Sequence, residues 1–170
     1  MNTDDFGRLF ESFSRSAFRL ETLPEYRVEV EAHYLQLFLL GHPPPESRKE
    51  RAWLKTVAQA CGAGKSMQRV RVVRRPLTHY IAFELEWGYP ENEQAGEEIR
   101  ILELARGEQI PEIDDDFWLF DDRIVVRLEY DDEGRFVRPV AMDDAATYCR
   151  CRDAAMARAV PLSEYRARVG

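Results

Sequence analysis

Two shortages govern the reading of this 170-residue chain: it has few soft metal ligands and no membrane-length apolar run. The three histidines, His33, His42 and His79, stand far apart without metal-ligand spacing, so a zinc site has no basis. Cys61, Cys149 and Cys151 are odd in number and lack the spacing of a disulfide framework, which suits a reducing cytosol better than secretion. Cys149 and Cys151 are two apart on an expected helix, so their side chains diverge and cannot share a metal. No run of about 18 uncharged apolar residues occurs; the longest candidate is Tyr34 to Gly41. The chain opens with Asp4 and Asp5 where a signal region would be basic. A cytoplasmic, non-exported protein without membrane association is expected, with no cofactor implied.

What is present is enough for a real core. Hydrophobic residues make up 45% and aromatics 11%, and the length fits one domain, residues 1–170. The net charge is −7, but its distribution matters more than its sum. Residues 47–75 carry nine Lys or Arg against one Glu, and residues 91–133 carry sixteen acids against four Arg. A basic stretch can track phosphates. The simpler reading is that the basic and acidic units face each other within the domain, which makes nucleic acid the less favoured partner.

The order of elements predicts an α/β fold: a single-domain mixed sheet with a parallel part and an antiparallel hairpin, and helices on both faces. Residues 1–65 read as a mainly helical lead-in and 66–170 as the α/β core. Phe6, Leu9, Phe10 and Phe13 recur at helical spacing. Phe18 to Glu21 reads as extended chain and Val28 to Leu40 as a helix stopped by Gly41. Ser47-x-x-Glu50 has the form of a capping box opening a helix to Ala60, with Gly62 or Gly64 as its stop. Gln68 to Val73 is a strand with Val70 and Val72 on one face and Arg69 and Arg71 on the other. Leu77 to Gly88 reads as a helix followed by a loop, and Ile99 to Leu104 as a strand before a connector containing Gly107 and Pro111. Phe117-Trp118-Leu119-Phe120 is apolar on both faces, as a strand covered on both sides would be. Arg123 to Tyr130 alternates, with Ile124, Val126, Leu128 and Tyr130 together. A turn at Asp131 to Gly134 leads to a last strand, Phe136 to Val140. Asp143 or Asp144 caps a final helix through Ala159, and a short tail follows Pro161.

Chemistry-bearing motifs are sparse. Cys61-Gly62-Ala63-Gly64-Lys65-Ser66 resembles the end of a phosphate-binding loop, but Gln59 stands where a glycine is required and the segment leads from helix into strand. The acids Asp114, Asp115, Asp116, Asp121 and Asp122 could hold a hard divalent cation if two strand ends converged, which is the basis of an enzyme alternative. Nothing near them supplies a nucleophile.

Four blocks carry a family resemblance: Phe18-Arg19-Leu20-Glu21-Thr22-Leu23-Pro24-x-Tyr26; Arg69-Val70-Arg71-Val72-Val73-x-x-Pro76-Leu77-Thr78-x-Tyr80; Ala95-Gly96-Glu97-x-Ile99-Arg100; and Asp116 to Asp122. Together with the closing Arg152 to Leu162 they resemble a bacterial family of unassigned function. Its members occur in filamentous high-GC bacteria in settings beside helix-turn-helix regulators, which implies a regulatory role. More distantly, the order of elements is similar to the phospholipase D-like fold. Active members of that fold use His-x-Lys-x-x-x-x-Asp, the histidine attacking phosphorus and the lysine binding phosphoryl oxygens. Placing the aspartate at Asp122 puts Asp115 and Phe117 where the histidine and lysine belong, so both working groups are absent.

The resemblance thus implies a catalytically silent scaffold: a non-enzymatic ligand-sensing or protein-interaction domain with no catalytic residues. Its expected site, at the carboxyl ends of the strands, takes in Arg69, Arg71, Tyr80, Arg100, Asp116, Trp118, Asp121 and Arg123. The expected partners are a small anionic ligand, a helix-turn-helix regulator and, because phospholipase D-like units work as paired halves, a second copy of the chain.

Overall fold

The computed structural model describes residues 1–110 and 113–170. Pro111, expected in a connector, lies outside the described residues. Strands β1 (Ser16–Glu21), β2 (Ser66–Val73), β3 (Glu98–Glu103), β4 (Phe117–Phe120), β5 (Ile124–Tyr130), β6 (Phe136–Met142) and β7 (Val160–Pro161) form one mixed sheet. Their order is β6-β5-β4-β1-β2-β3-β7. β1, β2 and β3 run parallel, β4, β5 and β6 form an antiparallel meander beside β1, and β7 closes the other edge against β3.

One element differs most from expectation. The segment read only as extended chain, Phe18 to Glu21, lies in the centre of the sheet, so the mainly helical residues 1–65 also supply a strand of the core. Five of the six residues of β1 are buried, the polar Arg19 and Glu21 among them. A strand with charges on alternate positions reads as half-exposed, and only its neighbours reveal that both faces are covered.

The two faces are unlike. Phe18, Leu20, Val70, Val72, Phe117, Leu119 and Val125 point to one side and pack on helix α6 (Ala145–Arg158), which contributes Tyr148, Cys151 and Ala155. Asp144 caps α6, its carboxylate accepting from the Thr147 amide. The opposite face is apolar at its two ends. At one end Ala17, Met67, Trp118, Phe120 and Val126 meet α1 (Thr3–Ser12) and α3 (Ala52–Gly62). At the other, Val73, Ile99 and Ile101 meet α4 (His79–Phe83), a π-helical turn (Glu84–Gly88), α5 (Tyr89–Ala95) and α7 (Leu162–Val169). Between these ends runs a buried charged stripe.

Helices therefore cover both faces, as expected, with local corrections. The Ser47/Glu50 capping box is not formed: Glu46–Glu50 is a 3-10 turn, α3 begins at Ala52, and the Ser47 hydroxyl lies 3.0 Å from the Tyr34 hydroxyl. The loop expected after Gly88 is helix α5, where Pro90 occupies a first-turn position that needs no amide donor. The tail after Pro161 is α7. Helix α2 (Glu29–Leu39) has the expected bounds but no fully buried residue. Gly64, at φ +82°, ends α3 in the left-handed region, so the phosphate-loop-like segment does lead from helix into strand. Among the described residues no helix is long and apolar enough to cross a membrane.

Asp121 illustrates how the sheet centre is locked. It sits at φ 52° after β4, and its carboxylate accepts from the amides of Ser14 (2.8 Å), Arg15 (2.6 Å) and Ser16 (3.0 Å). Partial burial opposes ionisation, but these amides hold its pKa below the usual carboxylate range. The carboxylate thereby joins the entry of β1 to the exit of β4. Asp121→Ala loses charge-assisted bonds and leaves a side chain poorly suited to positive φ, and is expected to cost about 2–3 kcal/mol. Asp121→Asn, which tolerates that backbone, should cost less; urea denaturation of the two variants measures the difference.

Candidate functional site

The charged stripe arises from register. Arg19 of β1 stands opposite Arg69 of β2 and Trp118 of β4, and Glu21 stands opposite Arg71. All four charged residues share one face, and all are at most 9% exposed. A guanidinium deprived of water must find acceptors. Arg69 donates from Nη1 to Glu21 (2.6 Å) and from Nε to Glu97 (2.7 Å). Glu97 also accepts from the Trp53 indole, and Glu21 from the Tyr89 hydroxyl. Arg19 donates to Asp116 (2.7 Å), to the Leu20 carbonyl and to the Tyr130 hydroxyl. Asp116 is further held by the Thr22 amide and hydroxyl and by the Tyr26 hydroxyl.

Above this stripe lies a cleft of about 280 Å³. Its floor is Arg19, Glu21, Arg69 and Trp118, with Trp53 and Arg51 on one side and Tyr80, Glu84 and Asn92 on another. Glu31 of α2 reaches in and accepts from the Tyr80 hydroxyl at 3.0 Å. Tyr26 and Tyr130 complete the wall, their rings edge-to-face at 5.1 Å. Among the described residues no histidine, lysine, cysteine, serine or threonine lines it.

Burial divides the acids of the cleft. Burial alone would push Glu21 up, but Arg69, Arg19 and Arg71 outweigh it and draw its pKa down to about 2. Glu84 goes the other way: burial first, then the charges of Glu31 and Glu21, push it up to about 8. Burial likewise raises Glu31. The Glu84 carboxyl lies over Gly88, where a Cβ would overlap it, and its Oε1 has no hydrogen-bond partner among the described residues. The π-helical turn places it there; such turns recur at functional positions. Arg71, fully buried beneath the Tyr26 ring at 5.1 Å, donates to the Leu23 carbonyl, while its Nε and Nη1 have no partner among the described residues.

Of the residues expected to form a site, Arg69, Tyr80 and Trp118 line the cleft, and Arg71 and Asp116 lie in the network around it. Three do not join them. Arg100 points to the other face of β3 and pairs with Glu98; Asp121 is the backbone clamp; Arg123 is an exposed turn residue. The acid cluster does not converge either. Asp116 and Asp121 bracket a four-residue strand, roughly 15 Å apart. Each has its own donors, Asp122 pairs with Arg152, and no metal-holding group of acids, histidines and cysteines occurs among the described residues. The basic stretch meets the acidic one directly, Arg48 and Arg51 at Glu91, Arg69 at Glu97 and Arg75 at Glu103. Sequence reasoning missed Arg19, Glu21, Glu31, Trp53 and Glu84. One signal was available: Phe18-Arg19-Leu20-Glu21 repeats the alternation of Val70-Arg71-Val72, and two parallel strands with charges in phase place them side by side.

A family profile described as "Domain of unknown function (DUF6879)" matches residues 4–167, and the chain belongs to that family. No curated protein matches the chain.

Two outcomes follow from the network. Arg69→Met strands Glu21 and Glu97 and is expected to cost about 3–5 kcal/mol. Arg100→Ala removes a part-exposed pair and should cost less than about 1 kcal/mol; guanidinium denaturation of the two separates a buried from a superficial ion pair. Stability should also bend with pH in two windows. Glu84, raised in the fold, favours the folded state fully below about pH 4.5, and that contribution is lost as pH rises toward 8, at up to roughly 1.4 kcal/mol per unit. Glu21, depressed to about 2, contributes above about pH 4.5, and its contribution is lost as pH falls toward 2. Glu84→Gln should flatten the slope between pH 5 and 8 and leave the acid limb intact, as read from denaturation midpoints across pH.

Proposed function

We propose that this member of the family is a non-enzymatic ligand-sensing domain, with the cleft over the charged stripe as its binding site. The observation that carries this reading is the cleft itself: aromatic and charged side chains, most held by buried hydrogen bonds, converge on a space suited to a small molecule. Preorganised polar walls of this kind lower the cost of ordering on binding. Among the described residues no histidine, lysine, cysteine, serine or threonine lines the cleft, and most of its carboxylates and phenol hydroxyls are committed to hydrogen bonds, which supports binding over covalent chemistry.

The finer readings rest on resemblance. A parallel half joined to an antiparallel meander is compatible with a phospholipase D-like scaffold whose imidazole and amine positions are Asp115 and Phe117. That resemblance supports a homodimer, and the genomic setting of similar proteins supports a DNA-binding regulator as the recipient of the signal. The carboxyl pair Glu31 and Glu84, with raised pKa values, favours one second reading, general acid–base catalysis in the same cleft.

Thermal unfolding against a library of small metabolites tests the primary reading. A ligand present at 100 times its Kd adds about 2.7 kcal/mol, a shift of roughly 5–10 °C for a domain of this size. Trp118→Ala should abolish the shift. A library without a single stabilising compound would remove the sensing role, and turnover of a phosphodiester or glycoside substrate by purified protein would replace it with catalysis.

A further inference from the structure

We propose that the cleft is selective for a small organic cation, an amine or methylated amine received by Glu31 and Glu84; this rests on the cleft being a ligand site. Every arginine that lines the cleft is already paired: Arg19 with Asp116, Arg69 with Glu21 and Glu97, Arg51 with Glu91, and Arg27 with Glu133. The expected small anion would have to compete with these carboxylates. Glu31 and Glu84 line the same space, and neither forms an ion pair with any described residue. Glu84 is 6% exposed and its Oε1 has no partner among the described residues, so a donor arriving in the cleft meets an acceptor with no other claim on it.

Two further features point to positive charge. Of the aromatic residues that wall the cleft, Trp53 and Trp118 have Arg69 over their rings and Tyr26 has Arg71, which leaves Tyr80 and Tyr130 as the rings with no described cation over them, and aromatic faces attract ammonium groups. The cleft shares Arg27, Leu128, Tyr130 and Gly134 with a wider groove of about 1000 Å³, whose lining carries eight carboxylate residues; Glu25, Asp114 and Asp132 among them form no ion pair with any described residue, whereas both of its arginines are paired. A negative groove leading to a small aromatic cleft concentrates cations at its mouth. The available space, about 280 Å³, lies at the small end of ligand clefts and suits an amine of metabolite size.

An ammonium group bound at Glu84 draws that carboxyl into its ionised form, and the proton passes to solvent. Glu31 on α2, Tyr80 on α4, Tyr89 on α5, Glu21 on β1, Arg69 on β2 and Arg51 ahead of α3 are the charged and titratable groups that face it. Affinity should therefore rise with pH, by at most tenfold per unit, up to about pH 8, where Glu84 ionises in the free protein.

The test uses ethanolamine, putrescine and trimethylamine, with acetate and inorganic phosphate as anionic counterparts, read by the three indole N–H resonances in 15N-labelled protein. The amines should shift Trp53 and Trp118 and leave Trp87, which does not line the cleft, in place. Glu31→Gln and Glu84→Gln should each weaken binding tenfold or more, and Glu84→Gln should reduce the pH dependence to what Glu31 contributes. Shifts from acetate or phosphate and from none of the amines would overturn the cation selectivity while leaving the cleft a ligand site. Silence from every amine and anion overturns it as well, and a silent metabolite library alongside would mark the failure of the sensing role itself.

Discussion

The rest of the molecule is arranged around one buried guanidinium. Arg69 sits on a central strand with its side chain inside the protein, and the desolvation of that charge is tolerable only because Glu21 and Glu97 meet it from two directions. Glu21 comes from the neighbouring parallel strand, and Glu97 from the turn between α5 and β3. Satisfying Arg69 thus sets the register of β1 on β2 and positions the entry of β3 in one arrangement. Trp53 and Tyr89 then complete the coordination of the two carboxylates, which brings α3 and α5 onto the same face.

This arrangement also creates the chemistry of the cleft. A sheet face that was apolar throughout would be closed by helix packing, as the opposite face is by α6. The charged stripe interrupts that packing, because helices cannot bury apolar residues against fixed ion pairs, and the gap between the two apolar ends is the cleft. Its cover is α2, which has no fully buried residue and reaches inward through Glu31. That helix is held by part-buried contacts, Phe38 against the rings of Phe83 and Trp87 among them.

Much of the antiparallel half was legible in the residues. Phe117 to Phe120 is apolar at every position and becomes a strand buried on both faces; Ile124, Val126, Leu128 and Tyr130 share a face because strand periodicity is two. The caps and stops at Asp144 and Gly64 were legible because they depend on local geometry. The parallel half was harder. Arg19, Glu21, Arg69 and Arg71 alternate with apolar residues, the pattern of a solvated strand, and a single strand carries no record of what covers its polar side. The same gap explains the site: Arg69, Tyr80 and Trp118 belong to it, but Arg100 points to the other face of its strand and Asp121 is occupied by backbone amides.

Local interactions, which act between residues close in the chain, were therefore determined by the sequence alone: helices α1, α2 and α6, the stop of α3, most strands and the turn at Gly134. Only the tertiary structure decided which charges are buried, because burial depends on partners up to about a hundred residues away, such as Asp116 for Arg19. It paired the basic stretch with the acidic one, and of the carboxyls that line the cleft it left Glu31 and Glu84 without an ion-pair partner among the described residues. Electrostatic compensation is a property of distances in space, and those exist only once the sheet has formed.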